Sequence, residues 1–139
     1  MHRLTRVLLV GAVVLLAGLG VAYATGLVGG RTCAVSGTIT RDGKPLEWPT
    51  EQGEFVVLFV PEPRKENQDP YQAETDRATS TYRVPAIRAG TYRVAIHQFV
   101  TEHHRDALQN RYDPFKTSLL KEVTEDGQVI DIDLPKDLP

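Results

Sequence analysis

The sequence predicts an all-β fold, an antiparallel sandwich of about seven short strands preceded by one N-terminal hydrophobic helix. Three observations predict it. Several stretches alternate apolar and polar residues with a period of two, the spacing that sends neighbouring side chains to opposite faces of a strand. Turn residues punctuate these stretches at strand-length intervals, with no βαβ alternation. Ahead of them, Val7–Gly30 carries no charge over 24 residues.

That apolar run is the first element. As a helix it would span about 36 Å, against about 30 Å of bilayer hydrocarbon. A small domain cannot surround a helix that is apolar on every face, so the run reads as a transmembrane helix or a signal peptide. Arg3 and Arg6 precede it, and only Arg31 follows before Cys33. Basic residues prefer the cytoplasmic side, so the remainder is expected outside the cytoplasmic membrane: in the cell envelope if the segment is retained, secreted or periplasmic if it is cut. Ala22-Tyr23-Ala24 has the A-x-A form of a cleavage site, whereas Leu27 and Val28 extend the apolar run as a retained anchor would. The expected division is residues 1–32 as signal peptide or membrane anchor with a short linker, and 33–139 as the sandwich domain. If retained, residues 7–30 make the membrane itself a partner.

The strands follow in order. Ala34–Thr40 sets Val35, Gly37 and Ile39 against Ser36, Thr38 and Thr40, and Asp42-Gly43 reverses the chain. Glu54–Val60 is nearly all apolar, so a central strand covered on both faces is expected, stopped by Pro61 and Pro63. Residues 62–71 read as a solvated loop. Ala73–Val84 should hold two short strands around Asp76-Arg77, and residues 85–90 a turn. Thr91–Phe99 alternates most clearly, Tyr92, Val94, Ile96 and Gln98 opposing Arg93, Ala95, His97 and Phe99. Residues 101–115 have the only polar helical potential, a turn or two from Thr101 to Asp113-Pro114. Residues 119–124 and 128–134 flank a turn at Asp126-Gly127, with Val129, Ile130, Ile132 and Leu134 carrying the last strand.

Composition narrows function. Sixteen basic and 18 acidic residues leave a net charge of −2 in 139 residues, with no basic cluster, so no nucleic-acid partner is expected. A single cysteine excludes an intramolecular disulfide framework and a multi-cysteine zinc site. Arg31 two residues before Cys33 breaks a lipobox, and the thiol reads as lying at a linker–domain junction, free to pair between chains.

The pieces Val35-Ser36-Gly37-Thr38-Ile39, Asp42-Gly43-Lys44-Pro45-Leu46, Phe59-Val60-Pro61, Tyr82-Arg83-Val84-Pro85, Ile87-Arg88-Ala89-Gly90-Thr91-Tyr92-Arg93-Val94 and Ile130-Asp131-Ile132-Asp133-Leu134 occur in that order. In this respect the chain from about Val35 to Leu134 resembles the carboxypeptidase regulatory-like, or transthyretin-like, domain, and small exported bacterial proteins carrying one such domain. The resemblance implies a Greek-key, prealbumin-like sandwich and a non-catalytic binding, structural or accessory role. It departs at residues 75–80, where such domains commonly carry a glycine and this chain has none.

His97, His103 and His104 with Asp106 have metal-ligand chemistry, but no HExxH or His-x-His spacing supports them, and solvated loop histidines are expected. Tyr82, Tyr92, Tyr112 and His97 have the residue types of an iron dioxygenase without its spacing, and Ser36, Ser80 and Ser118 lack a nucleophile-elbow motif. Asp131 and Asp133, with Glu125 and Asp126, are read as a solvent face that protects a strand edge rather than a calcium site. Trp48 near Phe55 is read as capping the core, with a glycan platform as the other option. No catalytic, cofactor-binding or metal residue is therefore assigned, and no cofactor. The function expected is a non-catalytic, membrane-tethered or secreted module of the bacterial envelope, meeting an envelope protein or glycan through loops 62–71 and 101–115. The alternative is a prealbumin-like metal-binding or hydrolytic enzyme.

Overall fold

The computed structural model describes residues 30–47, 52–64, 66–100 and 105–134. The predicted N-terminal helix lies outside the described residues. Compactness divides the chain between Arg31 and Thr32, and the unit from Thr32 onward is all-β in its described part. Among the described residues no helix is long and apolar enough to cross a membrane.

The strands are β1 (Thr32–Arg41), β2 (Lys44–Pro45), β3 (Gly53–Pro61), β4 (Tyr71–Gln72), β5 (Glu74–Asp76), β6 (Thr81–Arg88), β7 (Gly90–Val100), β8 (Arg105–Asp106), β9 (Leu120–Val123), β10 (Gln128–Val129) and β11 (Ile132–Leu134). They form two sheets. One runs β10-β1-β6-β5, with β11 and β2 also on β1; the other runs β4-β3-β7-β8, with β9 also on β7. Their inner faces supply Val35 and Ile39, Tyr82, Val84 and Ile87, Phe55, Val57 and Phe59, and Tyr92, Val94 and Ile96, all buried. Burying each large apolar side chain contributes about 1.5–3 kcal/mol before entropy. The Phe59 ring packs tilted on Tyr82 and edge-on to Tyr92, with centroids 5.8 and 6.0 Å away.

The structure corrects the sequence reading in several places. The sheets are antiparallel except at the end of the chain, where β10 and β11 pair parallel to β1. The Asp126-Gly127 turn is therefore not a hairpin. It carries the chain from β9 in one sheet to β10, beside β1, in the other, and Gly127 N donates to Ala34 O at 2.9 Å. Residues 85–88 continue β6 rather than turning. Pro85 and Ala86 together oppose Ala34, a bulge that absorbs the N–H proline lacks. β3 is central, but only one face is fully buried; Val56 and Leu58 on the other are half-buried. Val129 is 66 % exposed, because Ile130 beside it turns inward. In the glycine-free turn at 77–80, Ser80 takes the positive φ of 53° itself.

The largest correction concerns residues 101–115. Their described part, from Arg105, is not helical. β8 pairs with the end of β7, Ala107 N donates to Gln98 O, Ile96 N to Tyr112 O, and Val94 N to Leu119 O. The free edge of β7 thus consumes the backbone groups a helix would need internally. Gln109 and Asn110, at φ of 57° and 56°, also interrupt helical geometry. Leu108 and Tyr112 enter the core, so this segment is part of the fold and not a solvated appendage.

Cys33 lies just past the boundary between the two units, as expected, but its thiol is not free to pair between chains. It lies within β1, opposite Ile87, and is 1 % exposed. We expect it to react with a water-soluble disulfide reagent at least about a hundredfold more slowly in the native protein than in urea, since access requires opening. Equal rates, followed optically, would contradict this burial.

Candidate interaction surface

The two loops singled out in the sequence meet. Arg93, half-buried on β7, donates Nε to Glu62 Oε2 at 3.1 Å and Nη1 to Thr117 O at 2.9 Å. One guanidinium therefore fastens the start of loop 62–71 to the segment ahead of β9. Thr117 is buried and donates its hydroxyl to Val94 O at 2.9 Å, which fixes that segment on the β7 edge. Upstream, Asp113 closes the turn by accepting from Phe115 N at Oδ1 and from Lys116 N and Thr117 N at its carbonyl.

This framework holds Phe115 in solvent. Its side chain is 78 % exposed, and the Arg64 guanidinium lies 5.4 Å from the ring centroid. Leu120, opposite Arg93 in register, is 53 % exposed. An aromatic ring held out on a buttressed turn, beside a cation, is the arrangement that recurs at recognition surfaces. The same loop borders a cleft of about 550 Å³ lined by Glu66, Asn67, Gln68, Asp69, Tyr71 and Arg88. The lining is polar and carries charges of both signs.

Of the possible metal ligands, His97 and Asp106 do come together, with Nδ1 3.0 Å from Oδ2. The Asp106 side chain is 1 % exposed, and it accepts three backbone N–H groups as well: Gln98 and Leu108 at Oδ1, both 2.9 Å, and Asn110 at Oδ2, 3.0 Å. All its acceptor capacity is used by the fold. The His97 ring stacks on Phe99 with centroids 5.4 Å apart, and no described hydroxyl or thiol is hydrogen-bonded to it. The pair thus has the geometry of a histidine and its orienting carboxylate, with no described nucleophile hydrogen-bonded to the ring. Among those residues no group of three His, Cys, Asp or Glu side chains converges as a metal site. His103, His104 and Trp48 lie outside the described residues.

The tyrosine hydroxyls are engaged too. Tyr82 donates to Ile130 O and Tyr92 to Arg88 O, each at 2.6 Å. Burial, and then the Asp131 charge, raise the Tyr82 hydroxyl far above its ordinary value. Burial, and then neighbouring Tyr71, push Tyr92 up to about 12. Both remain neutral donors across the physiological range.

The acids near the C-terminal strands do more than shield an edge. Asp126 Oδ1 accepts from Ala34 N at 2.6 Å and Asp131 Oδ1 from Thr38 N at 2.8 Å. Asp133 Oδ1 accepts from Gly43 N and from Thr40 Oγ1, both at 2.8 Å. Three carboxylates thereby bind β1 and its turn, Asp126 ahead of β10, Asp131 between β10 and β11, and Asp133 within β11. The Gly43 N–H, and then the Thr40 hydroxyl, hold the Asp133 carboxyl below its ordinary value. A folded value below the unfolded one, about 3.9, stabilises the fold above the unfolded value, and that contribution is lost as pH falls through the folded value. The Asp133 side-chain carbon should therefore titrate at lower pH than free aspartate, with Gly43 amide protection falling in step. Titration at the free value, observed by carbon NMR, would contradict the two bonds.

What the sequence reasoning missed was the structural weight of Asp106 and Arg93. Asp106-Ala-Leu-Gln-Asn did carry a signal, since aspartate commonly accepts the N–H two residues ahead in a turn. Arg93 carried none, because its partners are remote in the chain. No family model matches the chain, and no curated protein matches it either.

Proposed function

We propose that the chain is a non-catalytic, membrane-tethered or exported β-sandwich module of the cell envelope. In this reading it is a carboxypeptidase regulatory-like, prealbumin-like domain with Greek-key connections behind an N-terminal hydrophobic helix. It binds an envelope partner, protein or glycan, through the surface where loops 62–64 and 113–117 meet. The observation that carries this reading is Phe115, exposed over 78 % of its surface on a turn braced by Arg93 and faced by Arg64. A ring presented in this way contributes to association only when a partner covers it. The uncharged run over residues 7–30 supports the envelope location.

The test is site-specific photo-crosslinking in the native envelope. A photoreactive phenylalanine at position 115 should give one discrete adduct, whereas the same probe at Arg83, exposed on β6, should give none. No adduct at either position would overturn the proposed surface. The alternative, a metal-binding or hydrolytic enzyme, draws on the His97–Asp106 pair. Stoichiometric iron or zinc in the purified full-length protein would favour that alternative over the non-catalytic reading.

A further inference from the structure

Whatever covers the Phe115 ring also covers Arg64, because the guanidinium lies 5.4 Å from the ring centroid. Taking that charge out of water is strongly unfavourable unless an acceptor replaces the water. The occupant of this surface must therefore bring an anionic acceptor as well as an apolar contact.

The charge presented around the ring has one sign. Arg64 and Lys116 are both exposed. The acids at the junction of the two loops are engaged by the fold: Glu62 Oε2 accepts from Arg93 Nε at 3.1 Å, and Asp113 Oδ1 accepts from Phe115 N at 2.9 Å. Glu66 and Asp69, farther along their loop, line the cleft that also holds Arg88. Residues 33–139 carry 13 basic and 18 acidic residues, so the patch has the opposite sign to the domain that bears it. Leu120, 53 % exposed, adds a second apolar contact. It pairs in register with Arg93, whose Nη1 reaches Thr117 O, two residues from Phe115. Glu122, opposite Thr91 on the same face of β9 as Leu120, repels acids on that side and directs them toward Arg64 and Lys116.

We propose that the occupant is an acidic peptide segment of a partner protein, with one carboxylate on Arg64, Lys116 adding charge, and apolar side chains on Phe115 and Leu120. This rests on the reading of Phe115 as a docking residue and names the chemistry of what docks. The guanidinium offers a carboxylate a planar fork of N–H donors. Leu120 favours a peptide over a polysaccharide. A sugar ring stacks on an aromatic face and gains little from a lone leucine, whereas a peptide has an aliphatic side chain to bury there.

The test is a titration of the full-length protein in zwitterionic detergent micelles, with backbone amides followed by NMR and ionic strength held constant. The probes are a short peptide alternating glutamate and leucine, its counterpart with glutamine in place of glutamate, and an oligogalacturonate. The acidic peptide should shift the amides of Arg64, Phe115, Lys116 and Leu120 saturably. The glutamine peptide should bind at least about tenfold more weakly, through loss of the charge-assisted contact. Arg64→Glu should weaken the acidic peptide at least as much, and Arg83→Glu on β6 should leave it unchanged. Both side chains are exposed, so neither substitution disturbs the core. Equal affinity for the two peptides, or indifference to Arg64→Glu, would overturn the acidic partner. Oligogalacturonate saturating these amides at lower concentration than the acidic peptide would overturn the peptide in favour of a glycan. If no probe saturates while the photoreactive residue at position 115 still gives its adduct, this inference fails and the docking surface stands. If the adduct is absent as well, both fail.

Discussion

Gly37→Ala is expected to lower the stability of the fold by about 3 kcal/mol or more, a large part of the 5–15 kcal/mol typical of a domain. Gly37 lies on the inward face of β1, between Val35 and Ile39. A Cβ there would sit 2.0 Å from the carbonyl oxygen of Ile130 and 2.7 Å from its carbon. Both are backbone atoms, so no rotamer change relieves the clash. The Ile130 carbonyl also accepts from the Tyr82 hydroxyl at 2.6 Å, and Ile130 N donates to Ser36 O at 2.8 Å. Displacing it would break the crossing at which the chain passes from β10 to β11. Gly43→Ala is the matched comparison: nothing lies within 4 Å of its Cβ, and its φ of 73° alone implies a cost of about 1 kcal/mol. Urea unfolding followed by circular dichroism measures both. Equal midpoints for the two variants would mean that Ile130 does not pass over Gly37.

Asp106→Ala should cost about 3–5 kcal/mol, the range for removing one member of a buried, charge-assisted network. The carboxylate is the common acceptor for Gln98 N, Leu108 N, Asn110 N and His97 Nδ1. Alanine leaves these donors without that acceptor, in a place where water has little access. The effect should spread, because Leu108 and Tyr112, which the turn delivers to the core, depend on it. Asp106→Asn keeps one acceptor oxygen but turns an NH₂ toward donors, and should recover only a minor part of the loss. Hydrogen exchange should show the Leu108 and Asn110 amides losing protection before those of β3 do. Unchanged protection in the alanine variant would show that the turn is held by something other than this side chain.

These two positions also show where sequence reading succeeds and fails. Gly37 is legible as an inward-facing position of a strand, because the alternation around it is local. That a carbonyl 93 residues away rests on it is not legible. Asp106 is legible as a titratable group near histidines, yet its role is decided by the free edge of β7, which no spacing along the chain reveals. Arg64 and Phe115 are both loop residues by composition, and only the closure of Glu62 and Thr117 onto Arg93 makes them neighbours.

By itself, the sequence determined the alternating strands β1 and β7 and the reversals at Asp42-Gly43 and Asp126-Gly127. Both follow from interactions within a few residues: the period of two that separates the faces of β1 and β7, and the ease with which Asp42, Gly43 and Gly127 adopt positive φ. Two similar Asp-Gly turns nevertheless lead to different outcomes. The first closes an antiparallel pair, β1 with β2; the second sends the chain across to run parallel to β1. Tertiary structure alone decided this, because a turn sets only the local direction of the chain. The neighbour of each strand is chosen by which unpaired backbone edge and which apolar face remain open in the folded sandwich.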